Sequence, residues 1–237
     1  MKNTYALLLM LILSITGFTQ SPDNILQKHF EAKGVDRLTE YNSMILQGKS
    51  LQQGQETQFK LYVEKPGKMR LEVDLQGQTF IQAYNGKIGW TVMPWTGSTE
   101  PSELKGPQLY GIQLMSDLEG PLYNWKEKGY RLEFLGEEEV EGETTYKLRL
   151  IINNNMKIDY FINKENYLVD KEVYHLSYQG QEVEQVNYYD DYREVEGTMV
   201  SFQQKTGTGD QIIRSSEVID VTYDQEIDDD MFEMTAN

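Results

Sequence analysis

The chain has no cysteine, which removes disulfide staples, thiolate nucleophiles and zinc–sulfur sites, and leaves no thiol for a lipid anchor. Histidine is almost as scarce. His29 falls in the first helical segment and His175 within a strand-like run, and neither has a nucleophile and base in register with it, so both read as structural. The motifs GxSxG, HExxH and a Walker loop are missing. Gly207 and Gly209 form a GxG that leads into a strand instead of the helix phosphate binding requires, which makes it a turn. No enzyme, cofactor or metal site is therefore expected. Basic residues are also short: 22 Lys and Arg stand against 38 Asp and Glu, a net charge of −16 that repels nucleic acid and anionic lipid surfaces. Acidic clusters at Asp190, Asp191 and Glu194, at Glu137 to Glu139, and at Asp228 to Asp230 fit no calcium-loop spacing and read as solvated turns.

Long hydrophobic runs are few. Lys2 is followed by an apolar stretch from Tyr5 to Leu13 that ends in Ser14, Ile15, Thr16 and Gly17. It is shorter than the roughly 20 residues a membrane span needs and has the pattern of a secretory signal. Residues 1–20 are expected to be that signal, cut after Thr19 or Gln20, and 21–237 to form one exported domain. With 39% hydrophobic and 11% aromatic residues, 16 of them Tyr, the remaining chain has the material for a core without cross-links. A monomer is expected.

After the leader, Ser21 and Pro22 start a helix that carries Ile25, Leu26 and Phe30 on one side and ends at Gly34. Val35 to Tyr41 makes a second short turn. From Ser43 the hydrophobic period changes from 3.6 to 2. Phe59, Leu61 and Val63 alternate with polar neighbours, Pro66 and Gly67 turn the chain, and Met69, Leu71, Val73 and Leu75 alternate again. Such half-buried strands belong to an antiparallel sheet. Asn85-Gly86 predicts a two-residue hairpin with positive φ angles between Phe80–Tyr84 and Ile88–Met93. Met93 to Pro101 is a loop, and an amphipathic helix is expected after Pro107. Seven further strands lie between Tyr130 and Tyr223, separated by Asn- and Gly-rich turns. About 11 or 12 strands in an up-and-down meander would make one large curled sheet around the helices, or a half-open barrel.

Apolar residues exceed an ordinary strand face around one hairpin, loop and helix: Trp90, Met93, Trp95, Leu109, Ile112, Leu114, Met115 and Leu118. Rigid aromatics mixed with adaptable Met suit either a lipid-holding cavity, as wall or lid, or closed core. In the same region Lys65-Pro66-Gly67-Lys68-Met69-Arg70-Leu71-Glu72 and Gln82-Ala83-Tyr84-Asn85-Gly86-Lys87-Ile88-Gly89-Trp90 resemble the proline-turn and hairpin pattern of LolA-like outer-membrane lipoprotein-sorting proteins. Met93 to Pro101, Glu119-Gly120-Pro121-Leu122, Gly142 to Leu148 and Ile227-Asp228-Asp229-Asp230-Met231-Phe232 are similar to the Bacteroidetes branch of that family. The resemblance implies a mainly β fold, a strongly curved antiparallel sheet or half-open barrel, with a few helices covering its concave face around a hydrophobic cavity. It also implies a carrier that shields lipoprotein acyl chains or other lipids on the way to the outer membrane and meets an inner- or outer-membrane acceptor. A non-enzymatic envelope sensor or scaffold that binds a lipid or lipopeptide is the alternative on the same fold. Arg70 stands where such carriers place a basic residue near the cavity mouth; its alternation with Met69 and Leu71 equally fits a solvent-facing strand position.

Overall fold

The computed structural model describes residues 21–234 apart from Ser98 and Asp210; the expected leader at 1–20 lies outside the described residues. Helix α1 (Pro22–Lys33) opens with the Ser21 hydroxyl accepting from the Asn24 N–H at 3.3 Å, and closes on Gly34 in the left-handed region at φ 74°. A side chain is excluded at Gly34, because a Cβ would lie 2.2 Å from the Gly197 carbonyl oxygen. That contact sets the end of α1 and the start of α2 (Val35–Glu40) directly against the sheet.

Thirteen strands follow: β1 (Ser43–Gln52), β2 (Gln55–Glu64), β3 (Lys68–Leu75), β4 (Gln78–Tyr84), β5 (Gly89–Val92), β6 (Ser102–Glu103), β7 (Arg131–Val140), β8 (Glu143–Asn153), β9 (Met156–Asn163), β10 (Val169–Tyr178), β11 (Gln181–Val195), β12 (Thr198–Thr208) and β13 (Gln211–Tyr223). Helix α3 (Gly106–Met115) lies between β6 and β7, and 3-10 turns occur at Pro94–Thr96 and Asp229–Met231. All strands join one sheet in the order β6-β5-β4-β3-β2-β1-β13-β12-β11-β10-β9-β8-β7. Two antiparallel meanders are thus welded through their ends, with Met44 opposite Tyr223 and Leu46 opposite Val221.

This arrangement corrects the strongly curved or half-open barrel. The sheet is an open ladder, neither closed nor strongly curled, whose free edges are β6 and β7. The reason is topological. In an up-and-down meander the pairing of first and last strands would close a barrel, but here the consecutive strands β6 and β7 do not pair, and the sheet stays open between them. A two-residue edge such as β6 also offers little to pair with. From β6 the chain passes through α3, which packs against β4, β5 and β10, before β7 starts at the opposite edge.

The Asn85-Gly86 turn is a second correction. Tyr84 pairs with Gly89, so four residues connect the strands, and of the pair only Gly86 has a positive φ, 89°. Asn85 acts through its side chain instead: its Oδ1 accepts from the N–H groups of Lys87 and Ile88 at 3.0 and 2.8 Å.

One core lies between α1 and the face of β8 and β9 formed by Tyr146, Leu148, Leu150, Ile158, Tyr160 and Ile162, with Ile25, Leu26 and Leu122 packed on it. A second gathers Leu38, Tyr41, Val63, Met69, Leu104, Ile112, Leu118, Val221 and Tyr223. On another small core Phe232 and Ile227 pack with Tyr62. The strand–turn residues of the sequence motif fasten this C-terminal segment. Trp90 Nε1 donates to the Phe232 carbonyl at 2.9 Å and Arg70 to that of Met231 at 2.7 Å. Asn85 donates to Glu233 at 2.9 Å, and Lys68 pairs with Asp229.

Candidate functional site

The alternation of β1, β2 and β3 places one set of side chains on the face that meets the helices. The register then builds rows across the strands. Leu46 lies opposite Leu61 and Leu61 opposite Leu71; Phe59 lies opposite Val73, and Val73 opposite Phe80. Ser50 lies between Thr57 and Ser216. The Phe59 ring crosses β1 at Gly48, where an added Cβ would come within 2.5 Å of it and within 2.6 Å of the Glu217 carbonyl. The rows therefore run from aliphatic, through aromatic, to hydroxyl and finally to Gln52, Gln53 and Gln55 at the hairpin tip.

Between this wall, the matching faces of β9 to β13 and helices α1 and α2 is a cavity of about 900 Å3. That is near the upper end of ordinary small-molecule sites, about 300–1,000 Å3. Met44, Leu46, Leu61 and Leu71 are only half-buried although they face inward, because the space beside them is not filled by protein.

The helix end of the cavity is polar. Lys33, Tyr160, Glu172, Tyr189 and His29 border it. Glu172 is half-buried at the cavity, and loss of solvent pushes its carboxyl up, while the hydroxyls of Tyr189 and Tyr174 donate to it at 2.6 and 2.8 Å and hold it down. Burial lowers Lys33, against the attraction of Glu172, Asp117 and Glu119. His29 is held neutral, with its pKa lowered to about 4 by burial and by the Lys33 charge. Its Nδ1 donates to the Tyr167 carbonyl at 2.8 Å. At the other side the exposed Arg214 reaches Thr206 Oγ1 at 3.3 Å.

Of the residues singled out in the sequence, Trp95 and Met115 border the cavity. Trp95 is 60% exposed and stacks on Phe80 at 5.3 Å. Ile112 and Leu118 lie in the second core with Leu109 packed against it, and Leu114 packs against the first. Trp90 is buried in the C-terminal clasp, and Met93 precedes the 3-10 turn, where its carbonyl accepts from Thr96. Arg70 faces away from the Leu71 row, joined to Glu72 at 2.7 Å and to the Trp90 ring. The wall residues of β1 to β3 and the polar group at Lys33 and Glu172 were not singled out. A signal for Lys33 exists: it continues the apolar side of α1 after Leu26, His29 and Phe30. Among the described residues no group of three or more His, Asp or Glu is placed to hold a metal ion. His175 instead lies between Asp159 and Glu184 at 3.2 and 2.9 Å.

No family model matches the chain, and no curated protein matches it in sequence. Solved structures do. A LolA superfamily protein from Nitrosomonas europaea superposes with a TM-score of 0.60 at 14% identity, over 87% of this chain and 96% of the other. A putative outer membrane lipoprotein-sorting protein domain from Vibrio parahaemolyticus gives 0.58 at 11% identity, over 88% and 97%. A DUF1329 family protein from Desulfovibrio piger gives 0.59 at 14% identity, over 88% and 97%. The chain shares its fold with these three proteins over nearly its whole described length.

Proposed function

We propose that this protein is a non-enzymatic periplasmic carrier, of the LolA-like type its motifs resemble in the Bacteroidetes, which holds lipoprotein acyl chains or other lipids for delivery to the outer membrane. The observation that carries this reading is the cavity of about 900 Å3 with aliphatic and aromatic rows along one wall. An acyl chain leaving a membrane loses about 0.8 kcal/mol for each methylene that meets water, so transport through an aqueous space requires such a covered apolar site. The fold shared with lipoprotein-sorting proteins supports it, as does the signal-like leader.

Native mass spectrometry of protein taken from its own periplasm, followed by lipid extraction, tests the reading. A bound lipid that passes from the protein to acceptor membranes is expected. Protein that carries none, and that takes up no fatty acid, phospholipid or lipopeptide after delipidation, would refute it. Retention of ligand together with recruitment of a signalling protein would replace the carrier by a sensor.

A further inference from the structure

Lys33 faces the cavity without a hydrogen bond or ion pair to any described residue, although three carboxylates surround it. Each of those acids is already occupied. Asp117 pairs with Lys128 at 2.6 Å, Glu119 with Lys65 at 2.7 Å, and Glu172 takes the hydroxyls of Tyr174 and Tyr189. Directly across from Glu172, on β9, stands Tyr160. It is 3% exposed, borders the same cavity, and its hydroxyl is the buried side-chain polar atom left without a partner among the described residues. A buried hydroxyl without a partner is costly and calls for an explanation. Both unmet groups can donate a hydrogen bond, and Glu172 beside them takes its two tyrosine hydroxyls on Oε2. The missing partner is therefore an acceptor, and the unpaired ammonium makes it an anion.

We infer that Lys33 and Tyr160 form a subsite for the anionic head group of a single-chain amphiphile, carboxylate or phosphate, held at the helix end with its alkyl tail along Met44, Leu46, Leu61 and Leu71. The inference rests on the carrier reading and adds a direction to it: the head enters first and the tail points to the hairpin end. Gly34 fixes the geometry, since its approach to Gly197 holds the last turn of α1, and Lys33 with it, over the sheet.

The test compares hexadecanoate, hexadecyl phosphate and neutral methyl hexadecanoate, titrated into the delipidated full-length protein. Wild type is expected to prefer at least one of the two anions to the ester by about tenfold or more, the scale of a charged hydrogen bond. The arm that shows the preference identifies carboxylate or phosphate. Lys33→Met should abolish the preference while still binding the ester, and Lys33→Arg should restore it. Tyr160→Phe should reduce it and raise the melting temperature of the empty protein, since the substitution removes an unpaired polar atom; a merely structural tyrosine would not couple these two effects. Melting temperatures of the Lys33 variants separate lost affinity from lost fold. Equal binding of anions and ester by wild type, or a preference that survives Lys33→Met and disappears in Arg214→Met, overturns the subsite and leaves the carrier standing. If wild type binds none of the three, the subsite falls, and uptake of phospholipid and lipopeptide then decides whether the carrier reading stands.

Discussion

Two leucines separate a cavity wall from a closed core. Leu148 on β8 is fully buried against α1, and its truncation to Ala leaves a void that neighbouring strands cannot fill. The expected cost is about 3–5 kcal/mol, the transfer of the lost atoms plus the new cavity. Leu71 on β3 already borders open space, so Leu71→Ala creates no enclosed void. Only part of its transfer energy is lost, about 1–1.5 kcal/mol at roughly 0.8 kcal/mol per methylene. For a domain of this size each kcal/mol shifts the melting temperature by about 2–4 °C. Leu148→Ala should thus melt about 6–20 °C below wild type and Leu71→Ala only about 2–6 °C below. Ligand reverses the emphasis. A fatty acid at a hundred times its dissociation constant stabilises wild type by about 2.7 kcal/mol, and this increment should shrink in Leu71→Ala and persist in Leu148→Ala. Thermal melts of delipidated protein by circular dichroism, with and without ligand, give all four values. Equal losses for the two variants in the empty protein would mean that Leu71 is packed on both sides and that the cavity is filled in solution.

Acid should weaken the protein through His29: its pKa of about 4 lies below the unfolded value of 6.5, so the unfolded state binds the proton first, and stability falls between those two pH values. The full loss below pH 4 is about 3 kcal/mol, and His29→Gln should flatten that part of the stability-versus-pH curve relative to wild type. Arg149 donates two hydrogen bonds, at 2.6 and 2.7 Å, to Asp159, which is 2% exposed. Arg149→Met, which leaves that carboxylate with His175 at 3.2 Å and Lys147 at 4.0 Å, should cost about 1–3 kcal/mol in chemical denaturation, and restoring most of the stability with Asp159→Asn in the same chain would confirm the origin. Trp95, exposed at the cavity and stacked on Phe80, should shift its fluorescence to shorter wavelength when lipid binds; a shift that persists in Trp95→Phe would place the ligand elsewhere. Phe232→Ala should cost about 3–5 kcal/mol by emptying the clasp, and a loss below 1 kcal/mol would show that the C-terminal segment adds little.

Local signals in the sequence carried far. Ser21 and Gly34 bound α1 where their capping chemistry predicts, and period-two alternation with Asn and Gly separators found the strands from β8 to β13 to within three residues, while β7 runs five residues past its expected end at Leu135. What stayed hidden was non-local. Nothing in Ser43 to Gln52 says that it will pair with Gln211 to Tyr223, and nothing in β6 and β7 says that they stay apart and leave the sheet open. The cavity wall was hidden for a related reason: Leu61 and Leu71 alternate in the same way as Leu148 and Leu150, since an inward-facing residue carries no mark of whether it meets a neighbour or a gap. The polar end is assembled from α1, β9, β10 and β11, segments far apart in the chain, and no spacing could announce it. Asn85 went astray through chemistry, its side-chain oxygen stabilising a longer loop than the backbone alone would choose.

The β1–β13 seam also bears on the order of assembly. Strands β1 to β6 can pair among themselves as soon as they are made, yet the outer side of β1 waits for a partner more than 150 residues further along. A chain interrupted before β13 would hold two separate meanders with four raw edges instead of two, a species open to pairing with other chains and to proteases. Joining such distant segments is slow compared with closing hairpins. The seam therefore makes completion of the sheet the final event, and only a chain that has been synthesised nearly in full can enclose the space a ligand would occupy.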